Sequence, residues 1–128
     1  MDGNARWAKK KKIKRSEGYK KGLDKIEDIL NICIEKKIKN LTLFALSSEN
    51  IRRSNINIIF NTIYDNLNNF LISITENNAI KVRVFGSKKN LPKRILKIID
   101  KVECSTKKNQ KIYLNIAFNY GSKDELIQ

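Results

Sequence analysis

The sequence predicts an α/β domain with a mainly parallel sheet and flanking helices, and three observations carry that prediction. Short apolar runs of strand length, at 41–46, 80–85 and 112–118, alternate with stretches whose apolar residues recur every three or four positions. Strand, helix, strand, helix, strand in succession makes βαβ units, which pair their strands in parallel. Polarity also changes abruptly where strands end, at Ser47-Ser48-Glu49-Asn50 and at Asn119-Tyr120-Gly121. Ligands of such sheets collect beyond those carboxyl ends.

In chain order, apolar positions from Tyr19 through Leu23, Ile26, Leu30, Cys33 and Ile34 mark one face of a helix ending near Lys37. Leu41-Thr42-Leu43-Phe44-Ala45-Leu46 is apolar on both faces, as expected of a central strand in a covered sheet. A second helix follows from the stripe Ile56, Ile59, Phe60, Ile63, Leu67, Phe70, Leu71 and Ile74, capped by Ser54 or Asn55. Ile80-Lys81-Val82-Arg83-Val84-Phe85 alternates at period two, a strand with one less covered face. Asn90 is placed to cap a third helix with Pro92 just inside it and Ile95, Ile98, Ile99 and Val102 on its buried side. A third strand covers 112–118, and Ser122 with Glu125 has the spacing of a capping box that opens one more helix.

The chain of 128 residues is expected to be a single domain, 1–128, and an incomplete one, because no strand precedes Asp2 and little chain follows Ser122. With 27 Lys and Arg against 13 Asp and Glu, the net charge of +14 favours phosphorylated or polyanionic partners. Histidine is absent, which excludes Ser-His and Cys-His nucleophilic machinery and His-ligated zinc. Cys33 and Cys104 lie far apart in amphipathic stretches and read as packing residues. No apolar run reaches transmembrane length and no signal-peptide core is present, so a cytoplasmic location is expected.

The most informative stretch is the first, Met1-Asp2-Gly3-Asn4-Ala5-Arg6-Trp7-Ala8. Asp2 can hold a divalent cation through a hard oxygen, as Mg²⁺ prefers when it also bridges phosphates. Gly3 lets backbone approach a ligand, while Asn4 and Arg6 supply donors to phosphate oxygens. Arg15 and the run Lys9 to Lys12 add positive charge. A diphosphate site is one reading of these residues; an ordinary turn in a basic tail is the other, and the stretch alone leaves both open.

Taken together, this stretch, then Arg15 with Gly18 and Gly22, then Leu41 to Asn50 with Arg53, and Asn115-Ile116-Ala117 before Asn119-Tyr120-Gly121 resemble the cis-prenyltransferase family, in matching order and spacing. The resemblance implies repeated addition of isopentenyl diphosphate to an allylic diphosphate, each new double bond cis, to make an undecaprenyl-type lipid carrier precursor. It implies Mg²⁺ as cofactor, with Asp2 as its ligand and essential acid. Gly3, Asn4, Ala5 and Arg6, with Arg15, would hold the allylic diphosphate, and Trp7 would lie beside its reacting end. Ser47, Ser48 and Glu49 would line the same pocket, Asn50 would assist proton removal, and Arg53 would serve binding and loop closure. A homodimer and a peripheral place at the membrane, where the product resides, are implied for the complete protein.

The chain departs from the family pattern at several positions. Tyr19 stands where a histidine is usual; it still donates a hydrogen bond but carries no charge at neutral pH. Ile51 replaces an aromatic residue of the pocket, Ser54 and Asn57 replace a proline and a glutamate, and Ala5 takes a position often held by glycine or arginine. The family's arginine and serine cluster for isopentenyl diphosphate lies beyond Gln128, so residues 1–128 alone are expected to bind an allylic diphosphate with little turnover. A basic module for RNA or another polyanion is the alternative from a different class, although no nucleic-acid motif is visible and specific nucleic-acid binding is not expected. An inactive truncated gene product is the third.

Overall fold

The computed structural model describes residues 3–48, 57, 60, 61, 64–66, 69, 70 and 78–127, with the side chain of Asp124 excepted. Its elements are α1 (Asn4–Lys11), α2 (Arg15–Glu35), β1 (Asn40–Ser47), β2 (Ile80–Phe85), α3 (Lys93–Ser105), β3 (Ile112–Tyr120) and α4 (Ser122–Ile127). Between β1 and β2 the described residues Asn57, Phe60, Asn61, Tyr64 to Asn66, Asn69 and Phe70 are helical, where the second helix is expected. The other residues of that stripe, Ile56, Ile59, Ile63, Leu67, Leu71 and Ile74, and its caps lie outside the described residues.

The three strands form one parallel sheet in the order β1-β3-β2. The central strand is therefore β3, and β1, expected to be central, stands at an edge of the described sheet. Register puts Leu41 and Leu43 beside Leu114 and Ile116, and these beside Val82 and Val84, so one face is continuously apolar. That face meets Leu30 and Cys33 of α2, Phe60 and Phe70 of the intervening helical residues, and Ile95, Ile98, Ile99 and Val102 of α3. Burying these side chains stabilises the fold by roughly 1.5–3 kcal/mol each.

The opposite face carries Thr42 and Phe44, Asn115 and Ala117, Arg83 and Phe85 in cross-strand register. Phe44 is 58% exposed and Phe85 39%. Apolar character on both sides of β1 thus does not mean cover on both sides among the described residues. On this open face Tyr113 accepts the Arg83 guanidinium over its ring at 4.6 Å.

Side chains of α3 and the turn after it close the outer edge of β2. Thr106 Oγ1 accepts from the Val82 N–H (3.0 Å) and donates to the Val102 carbonyl (2.8 Å). Glu103 accepts from the Val84 N–H at 2.8 Å, and Asn109 donates to the Ile80 carbonyl at 2.9 Å. An edge whose backbone groups are taken this way offers little to a foreign strand.

Helix boundaries differ from expectation in explicable ways. The first long helix begins at Arg15, four residues before Tyr19, because Glu17 and Gly18 donate to the Lys14 carbonyl. Pro92 is the N-cap of α3 rather than its first residue, and Asn90 does not cap it but takes a left-handed turn (φ 62°). Glu125 does not reach back as a capping box requires; its carboxylate accepts from the Tyr120 hydroxyl instead. Cys33 is a packing residue, whereas Cys104 lies exposed on the solvent side of α3; both are free thiols.

Candidate functional site

The amino-terminal stretch folds as a helix, a feature its lysine-rich pattern conceals. Ala, Arg and Lys favour helix, and Lys9, Lys10 and Lys11 complement the negative end of the α1 dipole. At the other end Gly3 is the N-cap with φ 84°, a left-handed conformation that a side chain would strain. No acid occupies the first turn of α1, and the positive end of a helix dipole favours anions. The Arg6 guanidinium curls back to 3.7 Å from where a Gly3 Cβ would stand.

α1 is held in place by contact with two glycines of α2. A Cβ at Gly18 would come within 2.6 Å of the Asn4 carbonyl oxygen and 2.9 Å of the Ala8 Cβ. One at Gly22 would meet the Asn4 amide at 2.6 Å. Only hydrogen at Gly18 lets α1 lie this close, whereas a Cβ at Gly22 would displace the Asn4 side-chain amide; Ala8 is completely buried. Arg15 and Tyr19 belong to the same side of α2, since positions three and four apart share a helix face. Arg15 is exposed and Tyr19 half-buried, while Trp7 is 41% exposed and Ala5 half-buried.

A second group forms where the strands end. Register shifts between Phe44, Leu46 and Ser47 mark a bulge that brings Ser47 opposite Tyr120, and Ser48 follows with helical backbone. Bulges of this kind re-aim side chains beside binding sites. On β3 the left-handed residue Asn119 (φ 52°) breaks the alternation and delivers Tyr120 to the open face. Its ring packs edge-on against Phe44 (5.7 Å) and Phe85 (5.6 Å), over the small Ala117 that separates them in register. The hydrogen bond to Glu125, with desolvation second, raises the Tyr120 hydroxyl above its ordinary pKa of 10.0.

Asn119 also ties the neighbouring loop down. Its amide donates to the carbonyls of Ser87 (2.6 Å) and Lys89 (3.0 Å), and its own carbonyl accepts from the Ser87 N–H. Gly86 makes this possible, because at φ 128° its Cβ would sit 2.0 Å from the Phe118 oxygen. Sequence reasoning placed Asn119 and Tyr120 in a strand-end loop and missed both roles, which depend on register across three strands.

The structure therefore gathers Asn4 and Ala8 against Gly18, Asn4 against Gly22 and Arg6 against Gly3, and Ser47 with Tyr120 at the ends of β1 and β3. Asp2, Glu49, Asn50, Ile51 and Arg53 lie outside the described residues. Among the described residues no group of three or more His, Cys, Asp or Glu side chains could hold a metal. Among them too, no helix is long and apolar enough to cross a membrane.

A three-stranded parallel sheet with flanking helices defines an α/β protein, and comparison with known proteins narrows that class. The prenyltransferase family model, described as undecaprenyl diphosphate synthase, matches residues 1–128. The chain belongs to this family. It is 36% identical over 129 residues to a ditrans,polycis-undecaprenyl-diphosphate synthase, (2E,6E)-farnesyl-diphosphate specific, of Legionella pneumophila, covering 99% of this chain and 54% of that protein. It is 39% identical over 131 residues to a tritrans,polycis-undecaprenyl-diphosphate synthase, geranylgeranyl-diphosphate specific, of Pyrobaculum aerophilum, covering 99% and 55%. Lavandulyl diphosphate synthase from Lavandula x intermedia, solved with dimethylallyl diphosphate, superposes with a TM-score of 0.86 at 25% identity, covering 99% and 55%. The chain thus spans about half the length of the curated relatives it matches.

Proposed function

We propose that this chain is the allylic-diphosphate half of an isoprenyl transferase that joins isopentenyl diphosphate to an allylic diphosphate with cis geometry. The observation that carries the reading is the α1 start: Gly3 left-handed at the cap, Arg6 turned back over it, and Asn4 locked on Gly18 and Gly22. In such a transfer the allylic C–O bond breaks and diphosphate leaves as an anion. A new C–C bond forms to the terminal alkene carbon of isopentenyl diphosphate, leaving positive charge on the methyl-bearing carbon C3, and a proton departs from C2 next to it to form the new double bond.

The barrier falls when preorganised positive groups meet the charge that develops on the leaving oxygens. The positive end of α1, Arg6 and Arg15 would be this chain's contribution, and Asn50 would assist proton removal. The donor chemistry would suit Mg²⁺, with Asp2 offering one hard oxygen beside those of the diphosphate. Bound there, the metal would neutralise charge on the leaving group. A homodimeric assembly and a cytoplasmic location belong to the same reading.

The test is made on the 128-residue chain with labelled isopentenyl diphosphate, an allylic diphosphate and Mg²⁺. Binding of the allylic diphosphate with little label in a lipid-soluble product is expected, because half of each relative lies outside this chain. Absence of binding would refute the site, and robust incorporation would refute the division into halves.

A further inference from the structure

We infer that Asn119 is a positioning residue of the proposed diphosphate site: its side-chain amide locks the turn that sets Ser47 against Tyr120. The inference deepens the proposed function and rests on it, since the place of Ser47 in the pocket comes from the family resemblance. Asn119 takes no part in the chemistry described above, although Asn119-Tyr120-Gly121 helps to carry that resemblance.

Register locates the turn. Phe44 pairs with Ala117, Leu46 with Phe118 and Ser47 with Tyr120. Ala45 is therefore an extra residue on β1 and Asn119 an extra residue on β3, and the two bulges cancel, so that Ser47 and Tyr120 regain the offset of Phe44 and Ala117. Without the bulge at Asn119, Ser47 would pair with Asn119, and every side chain beyond would change face. A bulge this close to the end of a strand has little ladder after it to hold it. It also requires left-handed backbone (φ 52°), which asparagine tolerates but does not prefer.

The loop after β2 supplies the hold. Asn119 is buried, and its amide donates to the carbonyls of Ser87 (2.6 Å) and Lys89 (3.0 Å), while its backbone carbonyl accepts from the Ser87 N–H at 3.1 Å. The loop is itself anchored: Gly86 lies against the Phe118 carbonyl, and Lys88 pairs with Asp100 of α3 at 3.3 Å. Asparagine combines the two properties the turn needs, tolerance of left-handed backbone and N–H donors that can face two carbonyls. Glycine has the first alone, and aspartate would set a carboxylate against carbonyl oxygens. Because β3 lies between β1 and β2, a hold taken on the β2 side reaches Ser47 on the β1 side.

The experiment compares the unaltered chain with Asn119→Gly, Asn119→Asp and Thr106→Val, the last a destabilising change at the edge of the sheet away from β1. Allylic diphosphate affinity with Mg²⁺ is read by calorimetric titration, and amide resonances and their hydrogen exchange by NMR. Asn119→Gly is expected to weaken affinity about tenfold, the equivalent of one to two hydrogen bonds, and Asn119→Asp at least as much. The Ser47 and Tyr120 amides should shift and exchange faster while fully buried Leu114 keeps its protection. Thr106→Val should lose stability yet keep its affinity within about twofold. Unchanged affinity in both Asn119 variants, unmoved Ser47 and Tyr120 amides, or an equal loss of affinity in Thr106→Val would overturn the inference. Absence of diphosphate binding by the unaltered chain would refute the functional reading, and the Ser47 and Tyr120 amides then decide the clamp alone.

Discussion

Replacing Gly18 with alanine tests whether the close approach of α1 to α2 shapes the proposed diphosphate seat. The new Cβ would lie 2.6 Å from the Asn4 carbonyl oxygen, 2.9 Å from the Ala8 Cβ and 3.4 Å from the Asn4 carbonyl carbon. Two of those neighbours are fixed backbone atoms and the third is a completely buried methyl group, so α1 itself must shift. Overpacking of this kind costs about 1–3 kcal/mol. Alanine returns up to ~1 kcal/mol to α2 through its better helix propensity. An eight-residue helix cannot stand alone, so the balance is struck by displacement of α1 while the sheet core stays intact. A net loss of ~1–2 kcal/mol corresponds to a roughly 5–30-fold weaker allylic diphosphate affinity, read by calorimetric titration with Mg²⁺, with the melting temperature nearly unchanged. Gly22→Ala provides the contrast: its Cβ meets only the rotatable end of Asn4, and the loss should be smaller. Unchanged affinity in Gly18→Ala, or a larger loss in Gly22→Ala, would refute the reasoning.

Two further outcomes follow from the sheet. Thr106→Val leaves the Val82 N–H without its acceptor in a fully buried position and should cost about 1–3 kcal/mol in urea unfolding, most of it recovered by Thr106→Ser. Tyr120 has a raised pKa in the folded chain, so its contact with Glu125 contributes below the ordinary value of 10.0 and is lost as pH rises through the raised one. Glu125→Ala should therefore move the last tyrosinate absorbance step to lower pH; an unmoved step would contradict the hydrogen bond.

Elements whose periodicity coincides with burial were readable in advance. Ile80–Phe85 is the strand expected, and Ile95, Ile98, Ile99 and Val102 are the buried side of α3. Phe44 was misleading, since an apolar residue looks the same in sequence whether it faces a core or an open sheet, and only register shows that it adjoins Ala117 and Tyr120. α1 escaped notice because a lysine-rich helix resting on two glycines has almost no apolar stripe. Residues that carry the family resemblance do touch one another there, Arg6 against Gly3 and Asn4 against Gly18 and Gly22. The Asn119 clamp on Ser87 and Lys89 depends on left-handed backbone at a non-glycine residue, which no spacing signals.

The most direct measurement is the affinity of an allylic diphosphate for the chain and for Asp2→Asn, each with Mg²⁺ and with chelator. The account predicts that Mg²⁺ tightens binding to the native chain and that the substitution erases this tightening while leaving the metal-free affinity in place. Equal enhancement by Mg²⁺ in both proteins would contradict it.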